Sequence, residues 1–225
     1  MRAAAVACLF AAGCLALPPA ADRPAGRSDE PAPDALALAA ACLDRGDDAA
    51  AAGHLAVHVK LHPDEVMTRA MLAELLFRLG RYPAARAEFD RVVADAQPTS
   101  GAPHDHLVHC HTRLMQMAEA ADDPFEENLH RGIAFLCLVD RWDADPARRD
   151  EAMAEATVGK AVKALREAKA ERPLDPRVNL YLAQAYSRLG QPSASRAARA
   201  AAREKAPFGL TPIERSRLIE PDDRP

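Results

Sequence analysis

A short turn centred on glycine recurs along the chain between stretches of helix-forming residues. Residues 79–85 read Leu-Gly-Arg-Tyr-Pro-Ala-Ala, and residues 189–194 read Leu-Gly-Gln-Pro-Ser-Ala. An earlier turn is centred on Gly46, which lies 34 residues before Gly80, whereas Gly190 follows Gly80 by 110 residues, or three such periods and 8 residues more. Glycine often ends a helix, and a proline soon after it favours the start of another. A period near 34 residues therefore predicts stacked helix-turn-helix units.

Prolines mark the same period independently of the glycines. Pro63 and Pro98 are 35 residues apart, and Pro173 and Pro207 are 34 apart. Composition agrees with helices, because Ala, Leu, Arg and Glu dominate and 10 Gly in 225 residues are few for a β-rich chain. The sequence therefore predicts an all-α fold.

Small residues recur at one position of the first helix of each unit, followed three residues later by a second packing position. A small residue there lets the two helices of a hairpin approach closely. The matching pairs are Ala39 with Cys42, Ala73 with Leu76, and Ala183 with Tyr186.

This pattern resembles the tetratricopeptide repeat (TPR) family. The match is best in residues 69–98, and parts of it recur in residues 35–63 and 176–207. In the last of these, Ser195 stands where the family has Ala, which predicts a weaker second helix. The resemblance implies a short right-handed α-solenoid of stacked hairpins with a concave groove. The signature positions of the best copy hold Leu72, Ala73, Gly80, Tyr82, Ala85 and Phe89.

The repeat domain is predicted to span residues 35–207 as about five hairpins, of which the middle two are degenerate. Between Pro98 and Pro173 the signature fades, but two apolar helical patterns flank the stop Asp122-Asp123-Pro124. A further helical pattern at 148–172 has no clear break, so its two helices could be continuous. Residues 208–225 hold no further period and are predicted to form a short cap or to be disordered.

The N-terminus has the pattern of an export signal. Met1 and Arg2 precede an uncharged apolar run, Ala3 to Leu17. Residues 1–21 are predicted to be a signal peptide or lipoprotein signal, and residues 22–34 a polar linker. Ala-Ala-Gly-Cys at 11–14 resembles a bacterial lipobox, with Ala where Leu is usual, so Cys14 is a candidate for lipidation. An ordinary signal-peptidase site is the alternative. Either route predicts a periplasmic or membrane-anchored protein of a bacterial cell envelope.

The cysteines left after such a signal are expected to be core residues. Cys42, Cys110 and Cys137 each have apolar neighbours, and an odd number cannot form a complete disulfide framework. A bridge between Cys110 and Cys137 is the alternative.

Composition and motifs argue against nucleic-acid binding and catalysis. The net charge is −4, no basic run is present, and aromatic residues make up 4%. The chain has no G-x-S-x-G, P-loop or H-E-x-x-H motif. One group of ionisable residues could be taken for an acid–base site. It is interpreted instead as a salt-bridge network, with an accessory role in a partner enzyme as the alternative. The group comprises Arg113, Glu126, Glu127, His130 and Arg131.

Histidines suggest a metal site as an alternative function. Residues 104–111 hold four His and one Cys, and on a helix His106 could pair with His109 or Cys110. No second ligand pair completes the set, so the main prediction is no metal and no cofactor. In a second stripe, His54, His58 and His62, the middle residue is expected to pack against a neighbouring helix.

The TPR resemblance implies that the first helix of each hairpin lines a groove that binds a peptide or partner protein. Apolar and Arg residues at those positions suit a peptide with hydrophobic and acidic residues. The predicted function is therefore a non-catalytic scaffold for a protein partner. The groove positions are Met67, Ala70, Glu74, Phe77 and Arg78 in the second repeat and Arg177, Leu180, Gln184 and Arg188 in the last.

Overall fold

The computed structural model describes residues 34–95, 104–145, 147, 149–206 and 209–218. The predicted export signal with Cys14, and all but the last residue of the predicted linker, lie outside the described residues. Within them the chain forms helices and turns and no strand, which confirms the all-α prediction. The helices are α1 (Ala35–Asp44), α2 (Asp48–Leu61), α3 (Val66–Arg78), α4 (Tyr82–Asp95), α5 (His104–Ala120), α6 (Pro124–Asp143), α7 (Glu151–Glu171), α8 (Pro176–Arg188), α9 (Pro192–Lys205) and α10 (Pro212–Ser216).

The three glycines that define the period each adopt the left-handed backbone conformation, with φ of 72° at Gly46, 70° at Gly80 and 64° at Gly190. After each glycine, the next backbone N–H donates to a carbonyl five residues earlier. Arg81 N, for example, lies 2.9 Å from the carbonyl oxygen of Leu76. This bonding satisfies carbonyls left open at the helix end. It confirms the predicted hairpin turns.

A fourth hairpin uses the same turn with aspartate in place of glycine. Asp122 has φ of 53°, and the N–H of Asp123 donates to the carbonyl of Ala118 at 3.0 Å. Aspartate tolerates this conformation better than most residues with a side chain. Asp122 lies 68 residues before Gly190, twice the spacing of Gly46 and Gly80.

Helices pack in consecutive pairs, with one exception in the middle. The hairpins are α1/α2, α3/α4, α5/α6 and α8/α9, and the long helix α7 packs against both α6 and α8. Two further hairpins in this region would require four helices, whereas the described residues 104–171 form three. The reason is local: 34 residues before Gly190 the chain has Ala156, inside α7, where nothing stops the helix.

Buried apolar residues form two large clusters. One joins α1 to α5 and is centred on Leu55, Leu72 and Phe89, and the other joins α6 to α9 and includes Phe125 and Leu165. The predicted small positions Ala39, Ala73 and Ala183 are all buried.

The three described cysteines are free and buried, as predicted, and no Cys110–Cys137 bridge forms. Burial raises the pKa of the Cys110 and Cys137 thiols to about 12. Both therefore stay protonated and act as small core residues.

The serine that departs from the repeat pattern is accommodated in the last hairpin. Ser195 is buried, and its hydroxyl donates to the carbonyl of Ala183 at 2.8 Å. The helix that contains it, α9, has 14 residues, the same length as α2 and α4.

The C-terminal residues 209–218 cap the last hairpin. Leu210 and Leu218 are buried against Leu180 and Ala202, and Arg203 donates to the carbonyl of Leu218 at 2.7 Å. The short helix α10 within this cap begins with a capping box of Thr211 and Glu214.

Helices α6 and α7 approach closely at Gly132. A Cβ at this position would lie 2.6 Å from Cγ of Leu165 and 3.3 Å from the carbonyl oxygen of Ala161. The close approach therefore depends on the missing side chain, whereas Gly159 on the exposed face of α7 has nothing within 4 Å of such a Cβ.

We expect Gly132→Ala to lower the free energy of unfolding by about 1–3 kcal/mol, because the added methyl group forces α6 and α7 apart. The matched control Gly159→Ala should raise it by about 0.5–1 kcal/mol through helix propensity alone. Urea unfolding followed by circular dichroism measures both. A Gly132→Ala protein as stable as the parent would show that this contact does not set the α6–α7 distance.

Candidate functional site

A concave apolar surface, here called the α3 groove, lies between α1, α3 and α5. It encloses about 480 Å³. Met67 and Met71 contribute its most accessible apolar side chains, which are 38% and 45% exposed. Its lining residues are Leu43, Met67, Ala70, Met71, Glu74, Leu75, Arg78, His106 and His109.

Glu74 holds the polar side of the α3 groove in place. Arg113 donates two hydrogen bonds to its carboxylate, at 2.7 and 2.9 Å, and His109 Nε2 donates a third at 2.8 Å. Partial burial alone would raise the pKa of Glu74, but these hydrogen bonds outweigh it and lower the pKa below its usual value. The carboxylate is therefore ionised and ties α3 to α5.

Phe77, although predicted to face the groove, is not among its lining residues. Its ring lies 5.4 Å from that of Tyr82, and the Arg113 guanidinium sits 4.5 Å above it. Phe77 also packs against the N-terminal core. Its position fits a packing role. Arg78 does line the groove and forms an ion pair with Asp48 of α2.

The groove positions predicted in the last repeat do not join the α3 groove. Arg177 hydrogen-bonds Asp175 and Glu126. Arg188 pairs with two aspartates of α6, and Gln184 is half-buried. Leu180 is buried beneath the C-terminal cap rather than exposed.

The residues of the alternative metal site point to different surroundings. His106 and His109 line the α3 groove, whereas Cys110 is fully buried in the core. In the part of the chain that the structure describes, no group of three or more His, Cys, Asp or Glu side chains is placed to hold a metal ion. His58 of the second stripe is buried and bonded to Glu65 at 2.9 Å, as its predicted packing position requires.

A second cavity, here called the Glu126 pocket, lies between α4, α5, α6, α8 and the cap. It encloses about 270 Å³ and is lined by charged and polar side chains over an apolar floor. The polar lining residues are Arg86, Asp90, His111, Glu126, His130, Arg177, Tyr181, Thr211, Glu214 and Arg217.

Glu126 is buried, and three arginines lie close to its carboxylate. Arg177 donates to it at 3.0 Å, and Arg86 and Arg172 approach within 3.4 and 3.5 Å. Burial by itself would raise the pKa of this carboxyl, but neighbouring His130 and Arg177 outweigh it and lower the pKa to about 2. Asp123 caps the N-terminus of α6 and Pro124 is its first residue. Glu126 therefore lies in the first turn of α6, where the helix dipole also favours a negative charge.

The buried histidines His111 and His130 are hydrogen-bonded through their Nδ1 atoms at 3.1 Å. Nε2 of His130 faces the Glu126 carboxylate at 3.4 Å. Because a lone pair facing a carboxylate is repelled, Nε2 of His130 carries a proton. Burial, with His130 and Arg217 nearby, lowers the pKa of His111 well below its usual value, so His111 is neutral.

The Glu126 pocket contains only Glu126 and His130 from the group predicted as a salt-bridge network. Arg113 is bound to Glu74, and Glu127 pairs with Arg131 along the same helix. The arginine partners of Glu126 are Arg86 of α4, Arg172 at the end of α7 and Arg177 of α8. No local sequence pattern signals these partners, because they are 40 residues or more away along the chain.

We expect Glu126→Gln to lower the free energy of unfolding by about 3 kcal/mol at pH 7, because it leaves partly buried arginines without their counter-charge. A carboxyl whose pKa falls from 4.5 to about 2 on folding stabilises the protein above pH 4.5 and loses that effect as the pH falls towards 2. The difference between parent and variant should therefore shrink over this range.

The matched control is Glu127→Gln, whose partly exposed ion pair should contribute less than about 1 kcal/mol at any pH. Urea unfolding at a series of pH values from 7 to 2 gives the three curves. Parallel curves for the parent and Glu126→Gln would contradict the assigned pKa of Glu126.

Among the described helices, none is long and apolar enough to cross a membrane. No protein-family model matches the chain, and no curated protein matches its sequence.

Solved structures of MamA are similar to this chain. A crystal structure of MamA protein has 14% sequence identity and a TM-score of 0.39, over 78% of this chain and 94% of that one. The MamA RS-1 ArsTM double mutant has 16% identity and a TM-score of 0.37, over 76% and 91%. At these values the similarity carries no argument about function, and the fold assignment rests on the helices described above.

Proposed function

We propose that this protein is a TPR-type scaffold that binds a protein partner in the α3 groove without turning it over. The observation that carries the proposal is the pair of half-exposed methionines, Met67 and Met71, on the floor of a concave surface. Apolar side chains grouped in a concavity favour docking of an apolar partner residue, and methionine adapts its shape to different partners.

The chemistry of the groove favours apolar anchors in the partner. Glu74 is held by Arg113 and His109, and Arg78 is paired with Asp48, so both charges at the groove are already balanced. Acidic residues in the partner, which the sequence suggests, would therefore add less than the apolar contacts. An amphipathic helix or an extended peptide with Leu, Ile or Phe side chains fits this lining.

A double replacement, Met67→Glu with Met71→Glu, should abolish peptide binding, because two carboxylates in the groove repel apolar anchors. The matched control is Met153→Glu, at a methionine that is exposed on α7 and outside the groove. Peptides selected from a random library on the immobilised parent are then tested by fluorescence anisotropy against all three proteins. We expect at least a hundredfold weaker binding to the double variant and unchanged binding to the control.

Two results would overturn the groove assignment. One is a selection that yields no peptide binding to the folded parent. The other is a set of peptides that bind the double variant as tightly as the parent. Thermal unfolding of each variant separates lost binding from lost folding.

We further propose that the chain is exported to a bacterial cell envelope through residues 1–21. Support comes from the charged start and apolar run of that segment alone. Expression in a bacterial host and mass spectrometry of the fractionated product test this. Lipidation predicts a mature chain that begins at acylated Cys14, and Cys14→Ser should block its processing, whereas Cys8→Ser should not.

Ordinary signal cleavage predicts a shorter soluble chain that is unaffected by Cys14→Ser. An uncleaved chain in the cytoplasm of the host would contradict both forms of the export proposal.

A further inference from the structure

Methionine is the readily oxidised side chain on the surface of this protein. Of the five methionines that the structure describes, Met67, Met71 and Met153 are 38%, 45% and 55% exposed. Met115 is half-buried, and Met117 is 6% exposed. Because a peroxide reacts with a thioether only where it can reach the sulfur, the first three are the accessible sites of oxidation.

The described cysteines do not compete with these methionines for an oxidant. The form of cysteine that reacts with a peroxide is the thiolate. Burial raises the pKa of the Cys110 and Cys137 thiols to about 12, and Cys42 is buried as well. An oxidant in solution therefore meets the exposed methionine sulfurs first.

Two of the three exposed methionines line the same surface. Met67 and Met71 are four residues apart on α3, so their side chains are neighbours on one face of the helix. Both line the α3 groove, whereas Met153 lies on α7 outside it. Oxidation of accessible methionine is thus directed at the floor of this groove.

We propose that Met67 and Met71 are a paired oxidation site that switches off peptide binding in the α3 groove. This inference rests on the proposed function, since the switch acts on that binding. Hydrogen peroxide transfers one oxygen atom to each thioether: an S–O bond forms, the sulfur is oxidised to a sulfoxide, and the O–O bond breaks to leave water. Methionine sulfoxide reductases reverse the step, with a dithiol oxidised to a disulfide and the oxygen released as water.

A sulfoxide weakens the groove because it replaces an adaptable apolar side chain with a polar one. Its oxygen binds water, which an apolar anchor of the partner has to remove on docking. Burying a polar group without a new hydrogen bond weakens binding roughly tenfold or more. Conversely, a docked peptide covers both sulfurs, so the bound protein is oxidised at these residues more slowly than the free protein.

Peptides that lack Met and Cys, selected on the untreated parent, are the probe. The parent is treated with hydrogen peroxide, freed of it and titrated by fluorescence anisotropy, and mass spectrometry maps the oxidised residues. We expect binding to weaken roughly tenfold or more once Met67 and Met71 are sulfoxides, and to return after reduction by methionine sulfoxide reductases. Saturating peptide during the treatment should slow oxidation of these two residues and not that of Met153.

The matched control is Met153→Leu, which removes an exposed methionine outside the groove and should leave the loss of binding in place. A double variant, Met67→Leu with Met71→Leu, should have an affinity that peroxide does not change. Each variant is compared with its own untreated form, so a different starting affinity does not enter the result. Circular dichroism of the treated proteins separates an altered groove from an altered fold.

The untreated parent reports on the groove itself, because a lack of peptide binding there overturns the proposed function and this inference with it. Once that binding is established, four results would overturn the oxidation site alone. They are an unchanged affinity of the parent carrying both sulfoxides, an equal loss of binding in the double leucine variant, a loss that persists after both residues are reduced again, and unfolding of the treated parent.

Discussion

The left-handed turn after the first helix of each hairpin is the constraint on which the rest of the structure depends. It reverses the chain within a few residues, so the second helix returns antiparallel to the first. The N–H that follows the turn glycine donates to a carbonyl five residues earlier in the first helix. This hydrogen bond also fixes which face of the first helix meets the second. Ala39, Ala73 and Ala183 occupy the same place relative to this bond, and all three are buried against a neighbouring helix.

The outer hairpins are predictable because their signals are local. In the middle, the sequence also predicts the stop Asp122-Asp123-Pro124 and leaves open the continuous helix that the structure has as α7. Asp122 supplies the turn without being glycine, and Ala118 occupies the position that holds Leu76 in α3. The 8 residues beyond the period fall between Gly80 and Asp122, which are 42 apart. Where Ala156 replaces a turn residue, the helix simply continues as α7.

The two cavities differ in how much of them the sequence could predict. The groove positions that the TPR resemblance implies include Met67, Glu74 and Arg78, and the structure gathers these three in the α3 groove. The same set of implied groove positions included Phe77. In the structure Arg113 of α5 covers the Phe77 ring, and α5 has no repeat signature from which this contact could be predicted. The Glu126 pocket depends wholly on tertiary packing, because its arginines come from helices on either side of α6.

Helix α5 is the one described element that lines both cavities. His109 binds Glu74 beside the α3 groove, and His111, two residues later and on the opposite face, binds His130 in the Glu126 pocket. Both contacts are side-chain hydrogen bonds made by α5, so a shift of this helix relative to α3 and α6 would change both distances. Energetic coupling between the cavities requires an element with two positions that both ligands bias. In this fold α5 is the element with contacts on both sides through which such coupling would pass.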